Sequence, residues 1–114
     1  MPEEQSKAIR KMADRIVKGY EAVHQKQYQE AKELLEPLLP LFHQEEKPNV
    51  TLLAYVSISQ IATKDIDSFL QTYEELKKYD PESAKEAALV KRVDEMFEEL
   101  MGAVEADAPN KKDE

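Results

Sequence analysis

The chain has 114 residues, no cysteine and a formal net charge of −8, which suits a single domain with one modest core. Without cysteine, disulfides, thiolate catalysis and Cys-ligated zinc are excluded. Acidic residues interleave with the basic ones, so nucleic acid is not an expected partner. The longest uncharged stretch, 48–63, is too short to span a bilayer. Because the N-terminus is polar and acidic, unlike a signal peptide, we expect a cytoplasmic protein with no membrane partner.

The first predicted helix covers about residues 2 to 25, and Pro2 suits its first position. An apolar stripe recurs along it at helical spacings of three and four. Its members are Ile9, Met12, Ala13, Ile16, Tyr20 and Val23. Basic residues lie outside the stripe at Lys7, Arg10, Lys11, Arg15 and Lys18. Acidic neighbours dilute this basic run, which favours a solvated helix face over a polyanion site.

The second predicted helix begins near Gln27. It should kink, because Pro37 and Pro40 cannot donate backbone hydrogen bonds to the preceding turn. Its apolar stripe consists of Tyr28, Ala31, Leu34, Leu35, Leu38 and Phe42.

The third predicted helix follows Asn49, a favourable N-cap residue. No charged residue occurs from Asn49 to Thr63, and apolar side chains nearly encircle the helix. A helix that is apolar on all sides is buried on all sides. We therefore expect it at the centre of the domain, flanked by the other helices.

Two further helices complete the predicted domain, which spans residues 1–104. The fourth follows the N-cap candidate Asp65 and turns Ile66, Phe69, Leu70, Tyr73 and Leu76 inward. The fifth covers about residues 81 to 104, because Asp80 can cap it and Pro81 can take the first helical position. Its stripe consists of Leu89, Val93, Met96, Phe97, Leu100 and Val104. Residues 105–114 are small or charged and are predicted to form a disordered acidic tail.

The first two helix pairs repeat one pattern with a period of 38 residues. The first copy has Gly19, Tyr28 and Ala31 at positions where the second has Ser57, Ile66 and Phe69, and the second copy closes on Tyr79-Asp80-Pro81. Over about residues 12 to 83 this pattern resembles the tetratricopeptide repeat (TPR). The resemblance implies two stacked helical hairpins, with the fifth helix as a cap. The expected fold is therefore all-α, with five antiparallel helices.

The resemblance also implies a binding groove, because in this family the inner face of each repeat's first helix lines one. The corresponding positions here are Ala13, Ile16, Tyr20, Val23 and His24 in the first repeat, and Thr51, Ala54, Ile58, Ile61 and Ala62 in the second. Such a groove would be apolar and would suit an amphipathic helix of another protein or peptide. It lacks the Lys and Asn set with which family members clamp a peptide carboxylate, so a chaperone-tail adaptor is not expected.

The alternative is a structural protein that fills the groove itself, with its fifth helix or with a second copy. The fifth helix is longer than the fourth, so its end is expected to overhang. Candidate contacts of a homodimer in that portion are Met96, Phe97, Leu100 and Met101. Methionine beside an aromatic ring forms an adaptable contact surface, although each of these residues also suits core packing.

One sequence element suggests catalysis. Glu21 and His24 have the E-x-x-H spacing of di-iron bundles, but such sites need two copies and further inward carboxylates. The sequence contains no phosphate-binding loop, H-E-x-x-H motif or nucleophile elbow. We therefore expect a non-catalytic protein without metal or cofactor, in which His24 and His43 are turn and helix-end residues.

Overall fold

The computed structural model describes residues 3–107, and within this range the chain forms five helices and no strand. Helix α1 is Glu3–His24. Helix α2 has three parts: an α-helical segment Tyr28–Leu35, a 3₁₀ turn Glu36–Leu38 and a last α-helical turn Leu39–Phe42. Helices α3, α4 and α5 are Val50–Ala62, Ile66–Leu76 and Ala84–Asp107. The predicted all-α fold with five helices is confirmed.

Helix α3 lies at the centre of the domain, as its uncharged sequence predicts. It packs against α2, α4 and α5 and also touches α1. Every side chain in residues 52–61 is buried. The Asn49 side chain caps the helix by accepting a hydrogen bond from the Leu52 N–H at 3.1 Å. Because burying one Leu or Ile contributes roughly 1.5–3 kcal/mol, the buried side chains of α3 contribute strongly to stability.

The two hairpin turns, α1–α2 and α3–α4, have the same backbone structure. Lys26 and Lys64 both take the left-handed conformation, with φ of 64° and 66°. The next residue in each turn donates back to a carbonyl five residues earlier: Gln27 to Ala22 at 2.8 Å, and Asp65 to Gln60 at 2.9 Å. This is the Schellman arrangement of a helix end. The 38-residue period of the sequence is therefore also a period of the backbone.

Contact between α1 and α2 depends on the missing side chain of Gly19. A Cβ atom at this position would overlap the side chain of Leu35. Ala31, one turn before Leu35, is fully buried as well. Because Gly19 and Ala31 are both small, the two helices of the first hairpin can approach each other closely.

The two prolines of α2 interrupt the helix as predicted, since the chain tightens into the 3₁₀ turn at Glu36–Leu38. Pro37 has no N–H to offer the carbonyl of Glu33. The Arg15 guanidinium of α1 donates to that oxygen instead, over a long 3.5 Å.

Helix α5 begins at Ala84, so the start predicted at Pro81 is wrong. Ser83 caps the helix instead, because its hydroxyl accepts from the Glu86 N–H at 3.1 Å while the Glu86 carboxylate accepts from the Glu82 N–H at 2.9 Å. This reciprocal arrangement resembles a capping box.

The helix ends at Asp107, so residues 105–107 of the predicted disordered tail are helical. The rest of that tail, 108–114, and the predicted first helical residue, Pro2, lie outside the described residues.

Candidate functional site

Helix α5 covers the groove positions predicted for the second hairpin. Ala54, Ile58 and Ile61 are buried in the core. Leu89 of α5 lines one small pocket together with Ile58, and Leu100 of α5 lines another together with Ile61. These three positions are therefore part of the packed interior, and α5 packs against the helix that carries them.

The other two positions of this set lie near the ends of α3. Thr51 is half-buried, and its hydroxyl donates to the Glu86 carboxylate of α5 at 3.4 Å. Ala62 is half-buried at the turn into α4. Glu86 of α5 lies beside the start of α3, and Leu100 of α5 lies beside its end. Helix α5 therefore runs parallel to α3 along the whole length of α3.

The groove positions predicted for the first hairpin change from buried to exposed towards the N-terminus of α1. Val23 is buried, Tyr20 and Ile16 are half-buried, and Ala13 is exposed. His24, at the end of the helix, is exposed. Val23 and Tyr20 therefore belong to the packed interior, and Ala13 and His24 do not.

Tyr55 of α3 holds the C-terminal end of α1. Its ring stacks on Tyr20 with centroids 4.2 Å apart, and its hydroxyl forms a 2.9 Å hydrogen bond with His24 Nε2. Burial and the neighbouring Tyr55 raise the pKa of Tyr20 to about 12, so the Tyr20 hydroxyl stays neutral. These contacts join the C-terminal end of α1 to α3.

The N-terminal half of α1 carries an apolar stripe with one open side. Ile9 and Val17 are 48% and 53% exposed, and Ala13 between them is exposed as well. These three residues are spaced four apart and share one helix face. The same stretch holds five exposed basic residues, Lys7, Arg10, Lys11, Arg15 and Lys18, and one acid, Asp14. Arg10 borders the stripe, the other four basic residues lie mostly on the opposite side of the helix, and the exposed acid Glu21 continues the spacing of four. Residues 7–18 are termed the basic segment.

The C-terminal half of α5 has the opposite charge. Residues 94–107 contain no Lys or Arg. Met101 and Val104 are 40% and 54% exposed, and Glu98 and Glu99 next to them are exposed too. Residues 94–105 are termed the acidic segment. Like the basic segment, this part of α5 carries its apolar stripe beyond the packed core.

Three of the four candidate dimer contacts pack against the core instead. Met96, Phe97 and Leu100 are half-buried there. The Phe97 ring lies 4.9 Å from the ring of Tyr73, centroid to centroid. Met101 is the exposed member of the set.

A polar cluster joins the ends of α2 and α4. His43 Nδ1 accepts from the Asn49 backbone N–H at 3.0 Å, so Nε2 carries the proton and donates to Glu75 at 2.8 Å. The Tyr79 hydroxyl and the Lys78 ammonium also donate to this carboxylate. These hydrogen bonds, led by that of His43, lower the pKa of Glu75 to about 2. Since both ring nitrogens of His43 are engaged, the cluster acts as a clamp on the connection between the hairpins.

Among residues 3–107, no group of three or more His, Asp or Glu side chains is placed to hold a metal ion. Glu21 of the E-x-x-H pair is exposed, and His24 is engaged with Tyr55. No helix in the part of the chain that the structure describes is long and apolar enough to cross a membrane.

Comparisons with protein-family models, with curated proteins and with solved structures find no match to this chain.

Proposed function

We propose that this protein is a small TPR-like interaction module whose basic segment binds an acidic amphipathic helix of another protein. The open stripe of Ile9, Ala13 and Val17 is the observation that carries the proposal. A partner helix laid along it would cover these side chains with its own apolar face. Acidic residues on the partner would then face the basic residues of α1.

The TPR-like arrangement is supported by the two hairpin turns, which repeat the same hydrogen bonds 38 residues apart. It is also supported by α5, which lies along α3 where a capping helix belongs. The cytoplasmic location and the absence of catalysis stay predictions from the sequence.

Charge is expected to decide which helices bind. Covering the exposed halves of Ile9 and Val17 contributes roughly 1 kcal/mol each, which favours any apolar helix about equally. The basic residues of the segment, with Arg10 nearest to the stripe, favour acidic partners in a protein that is otherwise acidic. Because these charges are exposed, binding should weaken as salt is added.

A designed acidic amphipathic peptide tests the proposal. It should bind the full chain, and a peptide with the same apolar face but Lys in place of Glu should not. Val17→Glu should weaken binding of the acidic peptide at least about tenfold, by placing a carboxylate in the interface. Leu41→Glu is the matched control, because Leu41 is 58% exposed on α2, outside the stripe. Equal effects of the two variants, or equal binding of the two peptides, would contradict the proposal.

A second candidate function is self-association, which the acidic segment favours. This segment is itself an acidic helix with exposed Met101 and Val104, the chemistry that the basic segment should recognise. Two copies related by a twofold axis would make this contact twice and form a closed dimer.

Charge reversal distinguishes self-association from binding of another protein. If α1 of one copy contacts α5 of the next, Lys7→Glu with Arg10→Glu should abolish the dimer in sedimentation experiments. Glu98→Lys with Glu99→Lys should do the same, and mixing the two charge-reversed proteins should restore a heterodimer. A wild-type chain that stays monomeric at millimolar concentration and low salt rules this candidate out.

A further inference from the structure

A pocket of about 450 Å³ lies where the kinked part of α2 meets α3 and α4. It is lined by Glu36, Leu39, Pro40, His43, Gln60, Ser68, Gln71 and Thr72. None of these residues belongs to the basic or the acidic segment, so the pocket is separate from the surfaces discussed above.

Gln60 gives this pocket a buried acceptor. Its side chain is 96% buried, and its Nε2 donates to the Glu36 carboxylate at 2.8 Å. Because a carboxylate accepts hydrogen bonds and only the nitrogen of the amide can donate one, this contact identifies the end of the Gln60 amide that is the nitrogen. The opposite end, Oε1, is buried and has no hydrogen-bond partner among the described residues. Buried carbonyl oxygens normally have a donor, and Oε1 of this pocket-lining residue lacks one within residues 3–107.

The rest of the described lining contains no Lys or Arg, and Ser68 and Gln71 add polar side chains to it. Both ring nitrogens of His43 are engaged, because its Nδ1 accepts from Asn49 while its Nε2 donates to Glu75. The Thr72 hydroxyl donates its proton to the Ser68 carbonyl. Glu36 brings a carboxylate, and Leu39 and Pro40 bring apolar surface at the edge.

We propose that this pocket binds an alkyl guanidinium or alkyl ammonium group. Its N–H groups would donate to Gln60 Oε1 and to the Glu36 carboxylate, and its alkyl chain would lie along Leu39 and Pro40. A charged donor suits a carboxylate because charge-assisted hydrogen bonds are the stronger kind. The net charge of −8 also attracts small cations to the protein. Such a group can come from a free amine or from an Arg or Lys side chain of a bound polypeptide.

Titrations of the full chain followed by NMR test this assignment with two probes. Agmatine carries the cationic groups as a free molecule, and the blocked tripeptide acetyl-Gly-Arg-Gly-amide carries the guanidinium on a backbone. We expect saturable shifts of the Gln60 side-chain amide, with a Kd on the order of 1 mM for so small a ligand. Butylurea, a neutral analogue, should cause no saturable shift.

Variants at Glu36 decide whether the shifts report this pocket. Glu36→Gln keeps the shape of the side chain and removes its charge, so binding should weaken at least about tenfold. Glu33→Gln, an exposed change on the same helix outside the lining, is the matched control and should bind within about twofold of wild type. Gln60→Met removes the acceptor and should also weaken binding; if that variant does not fold, Glu36→Gln alone decides.

The outcomes either support or overturn the assignment. Saturable binding of agmatine alone assigns a free cation, and binding of the tripeptide as well assigns a polypeptide side chain. No saturable shift with either probe, or undiminished binding to Glu36→Gln, overturns it.

Discussion

Lys26 and Lys64 hold the same left-handed backbone position in two successive hairpins, with φ of 64° and 66°. Residues with a Cβ atom rarely adopt this conformation, which costs them roughly 1–2 kcal/mol. Helix ends of this kind usually have glycine there. Each hairpin therefore carries a small backbone strain at a lysine.

Replacing Lys64 with glycine should stabilise the fold by about 0.5–1 kcal/mol, because relief of the strain exceeds the extra chain entropy of unfolded glycine. The same change at Lys11, inside α1 and exposed, should destabilise the fold by about 1 kcal/mol. Urea unfolding measures both. Changes of the same sign at the two lysines would show that the turn is not strained as described.

Gly19 and Ser57 are equivalent positions of the two hairpins, but replacing them with alanine should change the stability of the fold in opposite directions. Gly19→Ala places a methyl group against Leu35 and should cost about 1–3 kcal/mol of stability. The Ser57 hydroxyl is buried and has no hydrogen-bond partner in the described range, so Ser57→Ala should raise stability by about 1 kcal/mol. Thermal unfolding of both variants provides the comparison. A Gly19→Ala protein as stable as wild type would mean that the first hairpin is more loosely packed.

Acid should weaken the clamp between α2 and α4. The folded-state pKa of Glu75 is lowered from 4.5 to about 2, so the folded protein binds this proton more weakly than the unfolded chain does. Glu75 therefore contributes stability that is fully present above the unfolded pKa and is lost as the pH falls through the folded one. Glu75→Gln should lower stability at neutral pH and flatten its pH dependence between about 4.5 and 2.

Urea unfolding at a series of pH values measures this slope. Glu74→Gln is the control, since Glu74 is exposed next to Glu75 on the same helix. If the Glu75 and Glu74 variants show the same pH dependence, the hydrogen bonds from His43 and Tyr79 do not stabilise the fold.

A charge at the centre of α3 should unfold the domain. Ile58 is 5% exposed, and a carboxylate at such a position costs more than about 4 kcal/mol, a large part of the stability of a typical domain. Ile9→Glu is the matched control, because Ile9 is 48% exposed and the carboxylate stays hydrated. Circular dichroism should show a lost thermal transition for the first variant and a retained one for the second. A cooperative transition in Ile58→Glu would be incompatible with a central α3.

Apolar periodicity and local capping rules predict most of the fold. The uncharged run after Asn49 indicates a central helix, and the prolines at 37 and 40 indicate the break in α2, because each signal lies within one helix. The start of α5 was predicted wrongly at Pro81. Ser83 and Glu86 already have the spacing of a capping box, and this signal outweighs that of Asp80-Pro81.

The groove could not be predicted in the same way, because periodicity shows which face is apolar but not what covers it. Ile58 and Ile61 fit the inner-face pattern, yet both are buried in the core. Ile9 belongs to the predicted apolar stripe of α1 and Val17 does not, yet both are exposed. Which apolar faces stay open depends on how far each long helix runs beyond its neighbours, and this is a property of the assembled domain.

Mapping the bound acidic peptide by amide chemical shifts in NMR tests the central claim most directly. The basic segment accounts for binding if the shifts concentrate at residues 7–20 of α1, shrink with added salt and disappear in Val17→Glu. Shifts centred instead on the exposed Leu41 of α2 or Leu70 of α4, with α1 unchanged, would contradict the account.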